Sequence, residues 1–240
     1  MLNLLVGIGN TSIKIAVASN ENICDEHRSD IDSFVVDVGV YKDRYNGFDV
    51  VAVSDVRGVS EELYTYLSSI CTKLVRVGSD INLPINIKYN TPHTLGADRI
   101  CAAVGAQMAF PGKNCVVVDF GTAITIDFIT SDGDFLGGNI SLGLSTRFKA
   151  LNAFTGKLPL LEKSDLCPQI GKTTSEAIQA GIVLGTIFEI EGYMRAYPEF
   201  NFIFTGGDAI FFAEKLKSPI FVVYNLVLKG LAQIAITNAF

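Results

Sequence analysis

The chain has 240 residues, 49% of them hydrophobic and only 18% charged, which leaves room for one large or two modest domains and excludes a disordered polypeptide. A formal net charge of −6 with no basic stripe argues against a nucleic-acid partner, so an anionic substrate must be met by local donors. So apolar a composition also hints at surface hidden in an oligomer. Cys24, Cys71, Cys101, Cys115 and Cys167 are scattered and odd in number, and His27 and His93 complete no zinc spacing. Buried free thiols in a reducing cytoplasm are the expected state. No basic region precedes the first apolar run, so no signal peptide is expected, and no apolar run is long enough to span a bilayer.

Taken in order, residues 2–18 predict two strands around a turn, and 22–27 a third short strand. Segment 33–41 fits strand or helix. A β-branched strand follows at 49–53, a helix at 60–69 with Ser60 as candidate N-cap, and a strand at 74–77. A loop bracketed by Pro84 and Pro92 leads into an Ala-rich helix at 95–110, with Thr94 as plausible N-cap and Pro111-Gly112 as its stop. The boundary between halves is placed here, giving domains 1–110 and 111–240. Strands are predicted at 116–119, 123–130 and 134–140, with Ser131-Asp132-Gly133 as a hairpin turn, then a helix at 145–153. Segment 155–171 reads as an irregular polar loop suited to a site or interface. A long helix at 174–197 is apolar on more than one face, which points to burial between layers or against a partner chain. A strand at 201–205 and helices at 208–216 and 224–238 close the chain.

The most informative stretch is 115–127, where an apolar run ends in Asp119, passes through Phe120-Gly121-Thr122-Ala123 and resumes as a second β-rich run. Gly121 lets backbone approach a ligand closely, the turn amides with the Thr122 hydroxyl can cradle phosphate, and Asp119 can hold a cation beside it. An ordinary hairpin has the same outline. Residues 5–17 repeat the pattern, with Gly9 where Gly121 stands and Asn10-Thr11 in the turn. Lys14 follows, either as a phosphate ligand or as a surface lysine. A third element, Phe202-Ile203-Phe204-Thr205-Gly206-Gly207-Asp208-Ala209, runs a strand into a Gly-Gly turn against which a base or ribose can lie. Three such elements predict a duplicated fold with a nucleotide between its halves. Neither a P-loop nor a dinucleotide-binding glycine fingerprint is present.

Gly96-Ala97-Asp98-Arg99 opens the 95–110 helix. A carboxylate there complements the helix N-terminus. It can also serve as a base toward a substrate hydroxyl while Arg99 grips a substrate carboxylate, with Tyr89 and Asn90 walling the same pocket. Asp127 can face a ligand or sit solvated at a strand edge. Gly137-Gly138 makes room for a ligand or forms a bulge.

Together with Gly171-Lys172-Thr173-Thr174-Ser175-Glu176-Ala177, these blocks resemble type III pantothenate kinase in order and spacing over nearly the full length. The Gly-Ala-Asp-Arg and Asp-Phe-Gly-Thr-Ala blocks are distinctive of that family, while the glycine turns belong to the wider sugar kinase, actin and heat-shock chaperone superfamily. The resemblance implies an α/β protein of two ribonuclease-H-like, actin-like ATPase domains, each a mixed five-stranded sheet flanked by helices, paired as a homodimer. It implies transfer of the ATP γ-phosphoryl group to the primary hydroxyl of pantothenate, the first step of coenzyme A biosynthesis, with Mg2+ and a monovalent cation, K+ or NH4+. By the same resemblance Asp98 is the general base and Arg99 the pantothenate-carboxylate ligand. Tyr89, Gly96 and Ala97 line that pocket, and Thr174 reaches pantothenate held by the partner subunit. Gly9, Asn10, Thr11, Lys14, Gly121, Thr122, Gly206 and Gly207 hold the nucleotide, and Asp119 the metal.

One position departs from the family. Its first turn begins with aspartate, and here that place is Gly7. Because phosphoryl transfer rests on positioning and charge stabilisation, the loss admits an impaired kinase or, alternatively, a catalytically inactive homologue that binds ligand and regulates a partner.

Overall fold

A computed structural model describes residues 1–216 and 218–239. The chain divides into two compact units, one of Met1–Lys113, Phe128–Gly137 and the segment from Asn225 onward, the other of Asn114–Asp127 and Gly138–Tyr224.

In the first unit, β1 (Leu2–Ile8), β2 (Ile13–Ser19) and β3 (Asn22–Ser29) form an antiparallel meander, and β4 (Phe48–Asp55) and β5 (Cys71–Arg76) add in parallel. Parallel neighbours need crossovers, and α1 (Phe34–Tyr45) and α2 (Glu61–Ser69) supply them. The resulting order is β3-β2-β1-β4-β5. Alternation puts Leu4, Val6 and Ile8 on one face, where they meet Val51 and Val53, Phe34 and Val38 of α1, and Tyr64 and Leu67 of α2. The chain then runs through β6 (Asn86–Ile87) to α3 (Ala97–Ala109).

The second half repeats this plan. Strands β7 (Cys115–Phe120), β8 (Ala123–Ile129) and β9 (Asp134–Leu142) are followed by α4 (Leu144–Phe154), α5 (Thr174–Ala196), β10 (Asn201–Thr205), α6 (Ala209–Ala213), β11 (Phe221–Val222) and α7 (Leu226–Thr237). The sheet order is β11-β10-β7-β8-β9-β6, so without the two-residue β6 it matches the first sheet strand for strand. The ends of β8 and β9 at Phe128–Gly137 belong to the first unit, where β6 lies parallel to β9.

Helix α7 also belongs to the first unit, packing on β1, β4 and α3. Its approach to α3 is a backbone contact: a Cβ built on Gly230 would lie 1.8 Å from the Cys101 carbonyl oxygen, and one on Gly105 of α3 would lie 2.4 Å from the Leu226 carbonyl oxygen. Glycine at these two positions is therefore a packing requirement.

Several elements differ from their sequence expectation. Segment 33–41 is helical, because Phe34, Val38 and Tyr41 make a buried stripe at helical spacing. Gly96, not Thr94, is the N-cap of α3, since Pro92–Thr94 close a separate 3-10 turn in which the Leu95 amide donates to the Pro92 carbonyl at 3.1 Å. Ser60 holds the N-cap position of α2 without a side-chain cap bond. The proline-bracketed loop contains β6, and α6 is shorter than the expected 208–216 helix. Burial of the thiols holds for Cys101 and Cys115, whereas Cys71 and Cys167 are partly exposed and Cys24 is exposed; all are free. Among the described residues no helix is long and apolar enough to cross a membrane.

Gly230→Ala is expected to lower the unfolding free energy by about 1–3 kcal/mol or more, read as a lower urea midpoint, because neither helix can yield without disturbing the sheet beneath. The equally small-to-small Gly181→Ala, whose added Cβ meets nothing within 4 Å, is the control.

Candidate active site

The first unit gathers one cluster around the start of α3. Asp98 occupies the second helical position and turns its carboxylate back to accept the Arg99 amide at 2.8 Å. Gly96 makes room for it, since a Cβ there would stand 2.7 Å from Asp98 Oδ1. Burial pushes the Asp98 carboxyl above its usual range, outweighing the Arg99 amide and the Arg99 charge, which act to lower it. Arg99 is buried, with its guanidinium 5.7 Å from the Tyr89 ring centre and 5.8 Å from that of Phe135. Tyr89 packs edge-on against Phe135, and the loop before α3 is pinned where the Lys88 amide donates to the Phe135 carbonyl at 2.9 Å. Tyr89, Gly96, Asp98 and Arg99 are thus brought together, and Ala97, between Gly96 and Asp98, is buried.

The 9–11 turn lies at the end of β1, closed by the Gly9 amide donating to the Ser12 carbonyl at 3.1 Å. Asn10 and Thr11 are exposed. Gly7 pairs across the sheet with Lys14 on β2 and Ser54 on β4. Ser54 in turn bonds Cys101, one turn beyond Asp98 on α3, so the first turn and the carboxylate share one region of this unit.

In the second unit, Asp119 lies one residue before the end of β7, opposite Thr205 of β10. Gly206 follows with φ of +90°, and a Cβ on it would lie 2.3 Å from Asp119 Oδ1 and 2.7 Å from the Phe120 backbone. Only glycine permits that approach. The Asp208 amide donates to the Phe120 carbonyl at 3.2 Å, so the turn after β10 is folded across the turn after β7. Gly207 is exposed, and a Cβ there would meet nothing within 4 Å, so its backbone presents an open face. The Thr122 carbonyl is held by the Gly143 amide at 3.0 Å and the Thr146 hydroxyl at 2.7 Å, which anchors the 121–122 turn to the start of α4.

The family model for type III pantothenate kinase matches residues 3–196. The chain belongs to the type III pantothenate kinase family. It is 41% identical to the type III pantothenate kinase of Bacteroides fragilis strain YCH46 over 97% of each chain. It is 40% identical to that of Cytophaga hutchinsonii over 97% of this chain and 98% of the relative. Among solved structures it resembles the activator of 2-hydroxyisocaproyl-CoA dehydratase from Clostridium difficile with bound ADPNP, with a TM-score of 0.60 at 15% identity over 100% of this chain and 96% of that one. At that identity the likeness speaks for the actin-like ATPase fold alone.

Within this pantothenate kinase family member, the block from Gly171 to Ala177 is a helix start. Thr173 caps α5 and Glu176 bonds back in a capping box, leaving Thr174 exposed at the first helical position. Asp127 is fully buried, which removes the solvated strand-edge reading. Sequence reading missed Lys163, which pairs with Asp208 at the 206–208 turn, and Gly143 and Thr146, which carry no glycine-turn signature of their own. Among the described residues no group of three or more His, Cys, Asp or Glu side chains is poised around a metal. Asp119 alone still fits Mg2+, which is commonly held by one or two carboxylates and completed by substrate phosphates.

Because the fold favours the neutral Asp98, its contribution to stability is whole below the free carboxyl value of 3.8 and is lost as pH rises through the raised one. Asp98→Asn is therefore expected to be more stable than the unsubstituted chain at pH 7, with urea midpoints converging as pH falls toward 3.8.

Proposed function

We propose that the chain transfers the γ-phosphoryl group of ATP to the primary hydroxyl of pantothenate, the first committed chemistry of coenzyme A biosynthesis. The observation that carries this is Asp98, a partly buried carboxylate with a raised pKa beside a buried arginine, in a chain of this family. A base whose pKa is moved toward neutrality is better matched to accept a hydroxyl proton. Arg99 holds the pantothenate carboxylate, with its planar fork braced by Tyr89 and Phe135. Gly96 and Ala97 shape the floor of that pocket.

The 9–11 turn, Lys14, Gly121 and Thr122 take the nucleotide phosphates, and Gly206 and Gly207 take the ribose and base. Asp119 holds Mg2+, which supplies charge neutralisation to the phosphates when bound. A monovalent cation, K+ or NH4+, is part of the same proposal. The halves 1–110 and 111–240 are the two copies of the actin-like plan, a division supported by their common strand order, while the compact units draw Phe128–Gly137 and the segment from Asn225 onward into the first. The cytoplasm is the proposed location, in keeping with five free thiols.

The proposed assembly is a homodimer in which Thr174 serves the partner's pantothenate. Supporting this, the second unit exposes Ile140 and Leu142 on β9, Phe154 on α4 and Phe188 on α5.

Gly7 bears on how active the enzyme is. A Cβ at Gly7 would come no closer than 3.9 Å to Lys14, so the glycine is not demanded by packing and an aspartate can be restored there. A coupled assay with saturating ATP, Mg2+ and K+, with and without pantothenate, is expected to give turnover that rises in Gly7→Asp and falls at least ~100-fold in Asp98→Asn. Silence in the chain and in Gly7→Asp alike, with tight ligand binding by calorimetry, overturns catalysis in favour of a ligand-binding regulator. For the dimer, Phe188→Glu is expected to give monomers by sedimentation velocity and to lose activity; full activity as a monomer removes Thr174 from its cross-subunit role.

A further inference from the structure

The turn after β4 carries no glycine signature that would single it out in the sequence. The internal repeat nevertheless gives it the place in the first half that the 205–208 turn has in the second. The parallel ladder of β1 and β4 runs on until Ile8 faces Asp55, and the Val56 amide then donates to the Ile8 carbonyl at 3.1 Å. The Asp208 amide donates to the Phe120 carbonyl at 3.2 Å in the corresponding arrangement. In both halves the chain leaving the fourth strand is therefore laid beside the turn that follows the first.

What differs is the residue each turn presents. In the first half it is Arg57, whose guanidinium donates to the carbonyl oxygen of Asn10, in the middle of the 9–11 turn. The backbone beneath Arg57 is held on all sides. The Asp55 carboxylate accepts the amides of Arg57 at 2.8 Å, Gly58 at 3.1 Å and Val59 at 2.9 Å, and the hydroxyl of Tyr64 at 2.9 Å. Partial burial would raise that carboxyl, but these bonds outweigh it and hold it low. Tyr64 is itself clamped, with the Arg76 guanidinium 3.6 Å above its ring.

Arg57 thus has a rigid root and an exposed head. Guanidinium carries five N–H donors, and among the described residues the side-chain partner of Arg57 is this one neutral carbonyl. A fork so placed is under-used by the protein and suits a phosphate, which offers charge and bidentate geometry together. The neighbouring turn offers little competition, because Lys14 is the one charged residue between positions 7 and 14 and Gly7 brings no carboxylate.

We infer that Arg57 is a phosphate ligand of the first turn, gripping oxygens of a bound nucleoside polyphosphate beside Gly9, Asn10 and Thr11. The inference rests on the reading of the chain as an ATP-dependent kinase. Calorimetric titration of the unsubstituted chain, Arg57→Met and Arg57→Lys with the non-hydrolysable analogue AMP-PNP, and separately with adenosine, tests it. Arg57→Met should weaken AMP-PNP about tenfold or more, leave adenosine binding and the melting temperature unchanged, and raise KM for ATP more than it lowers kcat. Arg57→Lys should fall between the two. Equal AMP-PNP affinity in the unsubstituted chain and Arg57→Met overturns this inference alone, as does an equal loss of AMP-PNP and adenosine binding, which would make the role structural. An unsubstituted chain that binds no AMP-PNP overturns the kinase reading and this inference with it.

Discussion

The candidate site depends on parallel pairing of the first and fourth strands in each half. Parallel strands point their carboxyl ends the same way, so β1 and β4, and again β7 and β10, release their following turns side by side. Amides and carbonyls that have just run out of ladder partners are thereby gathered at one end of each sheet, where a ligand can use them. In the second unit the two turns approach so closely that Gly206 has no room for a side chain. In the first unit a long side chain, that of Arg57, crosses from one turn to the other.

The distribution of charge follows from that geometry. Carboxylates near the turns are largely committed: Asp55 to three amides and a hydroxyl, Asp208 to Lys163. Asp98 is the exception. Burial holds its charge at a cost that the Arg99 amide, the Arg99 charge and its own amide do not offset. A group kept partly uncompensated by the fold is a reasonable place to look for chemistry. Gly7 works in the opposite direction, removing a negative charge from the first turn while the space for a side chain remains.

Local signals were legible wherever a single segment decides its own structure. The 115–127 hairpin, its copy at 5–17 and the strand-to-glycine turn at 202–209 are read from apolar runs and glycine placement, and each forms as expected. The Gly-Ala-Asp-Arg block likewise falls at a helix start. Segment 33–41 was ambiguous because its valines suit a strand, and only packing of Phe34, Val38 and Tyr41 on the sheet selects the helix. β6 was invisible because two residues have no periodicity, and it exists through pairing with β9, about fifty positions away.

By itself, the sequence determined the duplicated α/β plan, the glycine turns and the family, since those depend on hydrophobic period, backbone permissiveness and the identity of short blocks. Only the tertiary structure decided which groups meet. It set the burial that raises the Asp98 pKa, the placement of Arg99 beside the edge-on Tyr89–Phe135 pair, and the placement of Arg57 over the Asn10 carbonyl. The physical reason is that desolvation and hydrogen-bond partnership are properties of what surrounds a side chain, and those surroundings come from parts of the chain that are distant in order.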